Sequence, residues 1–394
     1  MTLFSRNGIK WNAAFQIRTS IREIAMFRFY RLALLLTVSV IFAIGLAMIF
    51  NTSSAEVLDH SLTKSTHQAL VKQIFYALGG LLLAYSISKI GYQKLMDWSP
   101  YLLALFCILL ILVLIPGIGR EVNGSKRWLS IAGFSFQPSE FVKYLIPVYL
   151  TKYILAFGGP KMDFKNFCKM IGIVSIPMLL ILVEPNNGTA GVIFVTIIIM
   201  CVITQIRFKY WAFPLFTLML IGGVSAYNLP YVTARLNVYL HPELDIKGKG
   251  HQPYQAKIAA GSGQLIGRGP GNSLQKLSYL PEAQNDYIAA IFAEEFGFVG
   301  ILVLIILYMF IAYIGFSIAH FAKNRGGFYM ATALTFLISF QAFMNLGVVS
   351  GLLPSTGLNL PFFSQGGSSL MANVIAISLL LSIIEKKRSP SYAI

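Results

Sequence analysis

Charge is the first thing this chain lacks. Only 12% of its 394 residues are Asp, Glu, Lys or Arg, and the acids are the scarcer kind, 15 against 31 basic residues. Soluble domains carry about 25% charged residues, so an ordinary water-soluble fold is excluded. Cysteine is scarce as well. Cys107, Cys168 and Cys201 lie in or beside apolar or basic segments without ligand-like spacing, which fits packing better than a metal centre or a disulfide framework. No HExxH, phosphate-binding P-loop or nucleophile elbow occurs. The stretch GSGQLIGRGPG (261–271) contains GxG but lacks the strand and helix of a dinucleotide site, so a flexible loop is expected there. The net charge of +16 comes without a basic stripe interleaved with aromatics, which sets nucleic acid aside as a partner. No clear internal repeat or matched pair of broken helices is visible, which weighs against a secondary transporter.

What is present is hydrophobic sequence: 56% of the residues are apolar and the mean hydropathy is +0.69. Apolar runs recur at about 32–50, 74–90, 100–117, 139–157, 170–184, 188–205, 211–229, 286–316, 329–351 and 367–384. A membrane span needs roughly 20 apolar residues, so the expected fold is all-α, a polytopic integral membrane protein with about ten transmembrane helices. Residues 32–384 form the membrane domain. Residues 1–31 form a basic tail without a clear signal-peptide cleavage site, and 385–394 form a second tail. An even number of spans returns both tails to one side. Arg6, Lys10, Arg18, Arg22, Arg28 and Arg31 at one end, and Lys386, Lys387 and Arg388 at the other, make that side cytoplasmic by the positive-inside rule. The opposite face carries the loops 51–69, 118–138, 231–285 and 352–366. The long extracytoplasmic loop 231–285 joins the seventh and eighth runs.

That long loop ends in KLSYLPEAQND (276–286), which places Glu282 and Asp286 beside the eighth run. An acid at the mouth of a membrane protein, surrounded by Arg235, Lys247, Lys249, Lys257, Arg268 and Lys276, suits a general base working on an anionic lipid. Taken alone, Asp286 is more commonly an ordinary helix cap. Glu282 follows Pro281 and is held in a turn, where assisting the base, binding metal and facing water all remain open. Glu294 and Glu295 lie roughly 12–13 Å deeper along a helix than Asp286, too deep to share its reacting atom. They are expected to pair structurally.

The loop 121–140 brings Lys126, Arg127 and Trp128 close to Gln137, and Lys143 follows Glu140 at i,i+3, where the two can pair. Arg suits bidentate phosphate recognition and Lys supplies a compact charge. Trp128 read alone is an interfacial anchor. In NLPFFSQGGSS (359–369), Gly366 and Gly367 permit the close backbone approach that a packed re-entrant turn or a lipid-lined groove requires.

Five segments, in order along most of the chain, are similar to motifs of the SEDS family of bacterial membrane proteins (shape, elongation, division and sporulation). They are NGSKRWLSIAGFSFQPSEFVK, EPNNGTAG, GHQPYQAKIAAGSGQLIGRG, LQKLSYLPEAQNDYIAAIFAEEFG and NLGVVSGLLPSTGLNLPFFSQGGSS. QKLSYLPEA resembles the division branch, typified by FtsW, more than the elongation branch, typified by RodA. The resemblance implies a ten-helix SEDS-type fold and a peptidoglycan glycosyltransferase that polymerises lipid II, an undecaprenyl-diphosphate-linked disaccharide pentapeptide, during septal cell-wall synthesis. It implies a place in the bacterial cytoplasmic membrane at the division septum. The partners implied are a class B penicillin-binding protein that crosslinks the strand, and other division-complex membrane proteins.

By position, Asp286 matches the family's catalytic acid. Arg127, Trp128, Gln137, Glu140 and Lys143 match one substrate motif, and Ser364, Gly366, Gly367, Ser368 and Ser369 match another. On that assignment Arg127, Lys143 and Lys126 neutralise a departing diphosphate, together with a divalent cation, Mg or Mn, for which Asp286 or Glu282 is the candidate ligand. No covalently bound cofactor is expected. The chain departs from the family pattern at Gln284 and Asn285, where His-Thr is usual, at Asn186, where aspartate is common, and at Gln365, where tyrosine is common. Two rival readings are a lipid II flippase, with Glu184, Glu294 and Glu295 on a polar path, and a non-catalytic scaffold subunit of the division complex.

Overall fold

The computed structural model describes residues 4–60, 66–122, 125–131, 133–214, 216–217, 220, 239–240, 250–277, 280 and 283–385. In chain order these residues form α1 (Phe4–His60), α2 (Gln68–Ile90), α3 (Tyr92–Leu114), β1 (Gly119–Val122), β2 (Ser125–Ile131), β3 (Phe134–Phe136), α4 (Pro138–Ala156), α5 (Phe164–Val183) and α6 (Asn187–Ile203). They continue as α7 (His251–Ser262), α8 (Ile288–His320), α9 (Arg325–Val349) and α10 (Gly367–Glu385).

Nine of the ten apolar runs coincide with these helices. The seventh begins in a helical segment at 208–214, and most of its remainder lies outside the described residues. Seven described helices are long and apolar enough to cross a membrane: Ala25–Ala55 within α1, then α2, α3, α5, α8, α9, and Gly367–Ile384 within α10. α6 is apolar but shorter, at 17 residues. α4 has 19 residues and carries Glu140 and Lys143 in its first turns, which lowers its hydropathy. The multi-pass helical membrane fold therefore stands.

Three local expectations need correction. The expected loop 51–69 is helical as far as His60, because α1 runs on from Phe4 without a break. The expected loop 118–138 is folded into a three-stranded antiparallel sheet of order β1-β2-β3. Its register pairs Arg120 with Trp128 and Leu129 with Phe136, and a bulge lies between Arg120 and Glu121. The glycine-rich stretch 261–271 is not a free loop. It completes the end of α7 and then lies against α8, where Arg268 N bonds Glu294 O, Gly269 N bonds Glu295 O, and Phe298 N and Val299 N bond Gln264 O and Leu265 O. These bonds satisfy backbone that α8 leaves open where it breaks at Gly297 (φ 66, ψ −164). Non-helical backbone at such depth is tolerated only when protein covers it.

Local sequence sets the other boundaries. Gly91 (φ 81) turns the chain from α2 into α3, and Pro138 occupies the first turn of α4, where a missing N–H costs nothing. Asn186 caps α6 by accepting from Thr189 N, and Asn324 caps α9 by accepting from Gly327 N.

Two apolar clusters hold the bundle. One joins α1, α8, α9 and α10 through Leu34, Ile41, Ile311, Leu334, Ile338 and Leu380. The other joins α3, α4, α5 and α6 through Leu110, Ile146, Leu150, Met170, Ile181 and Met200. Outward-facing Leu36, Leu82, Tyr101, Leu179 and Met309 are exposed, as expected of a lipid-facing surface. Lipid is as apolar as these side chains, so close packing and interhelical hydrogen bonds hold the helices together rather than burial from water. One such close approach is Gly45 of α1, where an added Cβ would stand 2.6 Å from Phe363 O.

Candidate active site

At one end of the bundle a cavity of about 710 Å³ is walled by α2, the sheet, the start of α4, the α5–α6 turn, α7, the approach to α8 and the turn before α10. Nine of the residues singled out in the sequence line it: Asp286, Arg127, Trp128, Gln137, Glu140, Gly366, Gly367, Ser368 and Ser369. Lys126, Lys143 and Ser364 do not, and Glu282 lies outside the described residues.

Asp286 stands one residue before Tyr287, the N-cap of α8. Its main-chain carbonyl accepts from Asn345 Nδ2 at 2.8 Å, and the same nitrogen donates to Leu358 O at 2.7 Å. Asn345, on α9, thus ties the two strands of chain that flank the carboxylate. Gly357 (φ 70) lies alongside, and a Cβ there would come 3.7 Å from Asp286 Oδ2. The turn before α10 is fastened to the same wall by Gln365 N, which donates to Gln284 O at 2.9 Å.

Arg127 reaches from β2 to the α5–α6 turn. Its Nε donates to Glu184 O at 3.0 Å and one Nη to Pro185 O at 2.6 Å. Two bonds at fixed angles hold the guanidinium plane at the cavity wall. Glu184, immediately beyond α5, is fully buried, and neither of its carboxyl oxygens has a hydrogen-bond partner. Burial pushes its carboxyl up to about 8, and the Arg127 charge offsets part of that rise.

Glu140 and Lys143 do pair, at 2.7 Å, as their spacing predicted. Lys143 is fully buried, however, and its ammonium also donates to Gln341 Oε1 at 2.7 Å. Gln341 in turn donates to Asn359 O at 2.7 Å. The expectation that Lys143 meets a substrate phosphate is therefore corrected: the side chain braces α4 against α9. Ser364 likewise turns inward, accepting from Leu360 N at 2.8 Å to close its own turn.

Gly366 and Gly367 leave room for close neighbours. A Cβ on Gly367 would stand 2.3 Å from the Tyr76 ring, and one on Gly366 would stand 2.1 Å from Asn359 Nδ2. Ser368 Oγ accepts from Gln137 N at 2.9 Å and joins α10 to the sheet side of the cavity. Glu294 and Glu295 also serve structure. Glu294 accepts from Ser273 Oγ, Leu274 N and Gln275 N, while Glu295 meets Lys276 Nζ at 3.0 Å and Asn51 Nδ2 at 2.7 Å.

The sequence reading gave α2 no part in the site. Lys72, Gln73 and Tyr76 line the cavity from its first turns. Gln73 Nε2 donates to Ser364 O at 3.3 Å, and Tyr76 Oη donates to Ser135 O at 2.9 Å while accepting from Ser135 N at 2.8 Å. The available signal was a polar pair, Lys72 and Gln73, just ahead of the second apolar run. Gln252 and Asn359 were missed as well, and Asn186, noted only as a departure from the family pattern, also lines the cavity.

Fold and site together define a multi-pass membrane protein with a polar cavity at one end, lined by two cations and two carboxylates. The comparisons with known proteins agree. The family model described as cell cycle protein, covering FtsW, RodA and SpoVE, matches residues 31–389. The chain is 36% identical over 359 residues to the stage V sporulation protein E of Bacillus subtilis, covering 91% of this chain and 97% of that protein. It is 39% identical over 364 residues to a probable peptidoglycan glycosyltransferase FtsW of Thioalkalivibrio sulfidiphilus, covering 90% and 89%. In structure it is similar to a chain of a peptidoglycan synthase complex that coordinates polymerization and crosslinking, with a TM-score of 0.72, 26% identity and coverage of 90% and 98%. It shares its fold with the rod shape determining protein RodA of Thermus thermophilus, with a TM-score of 0.65, 24% identity and coverage of 90% and 97%. The chain belongs to the FtsW/RodA/SpoVE family, the SEDS membrane proteins.

Proposed function

We propose that this protein is a peptidoglycan glycosyltransferase that polymerises lipid II during septal wall synthesis. The observation that carries the reading is one cavity holding the Asp286 carboxylate together with a fixed Arg127 guanidinium, walled by family motifs from five parts of the chain. The names of its relatives agree with it.

In the reaction, an acceptor sugar hydroxyl attacks the anomeric carbon that bears the lipid diphosphate. Asp286 takes the hydroxyl proton as the new C–O bond forms. The bond to the diphosphate breaks, the departing oxygen keeps the electron pair, and direct displacement inverts the sugar. Arg127 stabilises the charge that develops on the leaving group. Among the described residues no three His, Cys, Asp or Glu side chains gather to hold a metal ion. The donor set still fits Mg²⁺, which is commonly held by one or two carboxylates together with substrate phosphates. Asp286 is the described carboxylate that would hold it, and the cation would neutralise part of the diphosphate charge.

The match to a synthase complex supports a class B penicillin-binding protein as partner. The basic ends of the chain support cytoplasmic termini. The test is glycan polymerisation from purified lipid II by the detergent-solubilised protein with its partner. Wild type is expected to make polymer, and Asp286→Asn, folded by size exclusion, to lose about 100-fold or more of the rate. Equal activity in both would remove Asp286 from the chemistry. Movement of lipid II across vesicles without glycan growth would make the protein a transporter instead.

A further inference from the structure

A lipid diphosphate carries a charge on each phosphate, and the sequence offers Arg127, Lys126 and Lys143 to meet them. The structure withdraws two of the three. Lys143 is fully buried between Glu140 and Gln341, and Lys126 does not line the cavity. The charged side chains on the cavity wall, among the described residues, are Lys72, Arg127, Glu140 and Asp286. Glu140 is already compensated by Lys143. The other carboxylate of the wall is Asp286, and the wall's two cations, Lys72 and Arg127, come from α2 and β2.

Lys72 occupies the second turn of α2 and is exposed. Its neighbour Gln73 is buried and grips the turn before α10 from both sides, donating to Ser364 O and accepting from Gly366 N, each at 3.3 Å. One turn on, Tyr76 is bonded twice to Ser135. The backbone beneath Lys72 is thereby fixed against two walls of the cavity, while the ammonium keeps a flexible stem. Arg127 is the opposite case, a guanidinium pinned by two main-chain carbonyls.

We infer that Lys72 is the second cation of the site and, together with Arg127, contacts the diphosphate of the lipid-linked substrate. The inference rests on the glycosyltransferase reading of the cavity. The competing account is a lysine whose stem follows the apolar surface while its charge rests among lipid head groups.

Binding to the full-length protein in phosphatidylcholine nanodiscs separates the two accounts, with polyprenyl diphosphate and the matching monophosphate as probes. K72M keeps the stem and removes the charge at an exposed position, so folding is retained. It is expected to weaken diphosphate binding about tenfold and monophosphate binding much less, with K72R restoring both. In polymerisation, K72M should raise KM for lipid II more than it lowers kcat. Unchanged diphosphate binding in K72M, an equal loss for both lipids, or failure of K72R to rescue would overturn the assignment while leaving the glycosyltransferase reading intact. If wild type binds neither lipid and makes no polymer, that reading fails and Lys72 falls with it.

Discussion

At the scale of single residues, the buried pair Glu140–Lys143 is the most exposed to perturbation. Both charges were taken out of water together, and Gln341 completes the ammonium's coordination. Removing one partner leaves an uncompensated charge in a low-dielectric interior. Lys143→Met should therefore cost about 3–5 kcal/mol, read as a lower midpoint in thermal unfolding of the detergent-solubilised protein. The double variant E140Q/K143M should regain most of that loss. If the single and double variants unfold alike, the pair is not a charge-compensating unit. The pairing was legible from the i,i+3 spacing, but its burial was not, because α4 hides nearly its whole circumference and its sequence shows no polar face to say so. The same holds for Glu294 and Glu295. Two acids in a span had to find partners, but those partners, Ser273, Lys276 and Asn51, come from distant segments.

At the scale of elements, glycine deceived the sequence reading. The run of glycines between 261 and 271 suggested mobility, whereas two of them, and Gly297 of α8 against which they lie, are places where backbone meets backbone. A Cβ on Gly263 would lie 2.0 Å from Ala293 O, one on Gly267 2.1 Å from Glu295 O, and one on Gly297 2.4 Å from Gly267 N. Gly267 also has φ 81, a conformation that other residues adopt at a cost. Gly267→Ala should destabilise by about 1–3 kcal/mol or more. Gly172→Ala, on α5 with nothing near its Cβ, should leave stability unchanged or raise it by up to about 1 kcal/mol. Equal midpoints for the two variants would mean that the stretch does not bear on α8. The apolar runs gave away the helices because a span must be long and apolar. The small sheet left no such trace, since its seven-residue strand mixes Lys126, Arg127 and Trp128 with no clean alternation.

At the scale of the whole molecule, the placement of charge makes a pH prediction. Glu184 is the residue beyond α5 whose carboxyl burial raises to about 8. The folded protein therefore keeps a proton that the unfolded chain releases in the ordinary carboxylate range. The contribution of Glu184 to stability should be full in acid and should fall as pH rises from the ordinary carboxylate range to about 8, with a slope of at most one proton, and then level off. Glu184→Gln, which cannot ionise, should flatten that decline when midpoints are measured across the range. An unchanged profile would place its origin elsewhere.

The cavity is assembled from side chains scattered between Ala69 and Ser369, and neighbouring walls are laced by a few hydrogen bonds such as Gln73 to Ser364 and Gln365 to Gln284. For pharmacology this means that an inhibitor need not touch Asp286 at all. A small molecule wedged at the seam where the Tyr76 ring covers Gly367 would push α2 away from the start of α10. Drug resistance would then arise at that seam, on residues with no part in the chemistry.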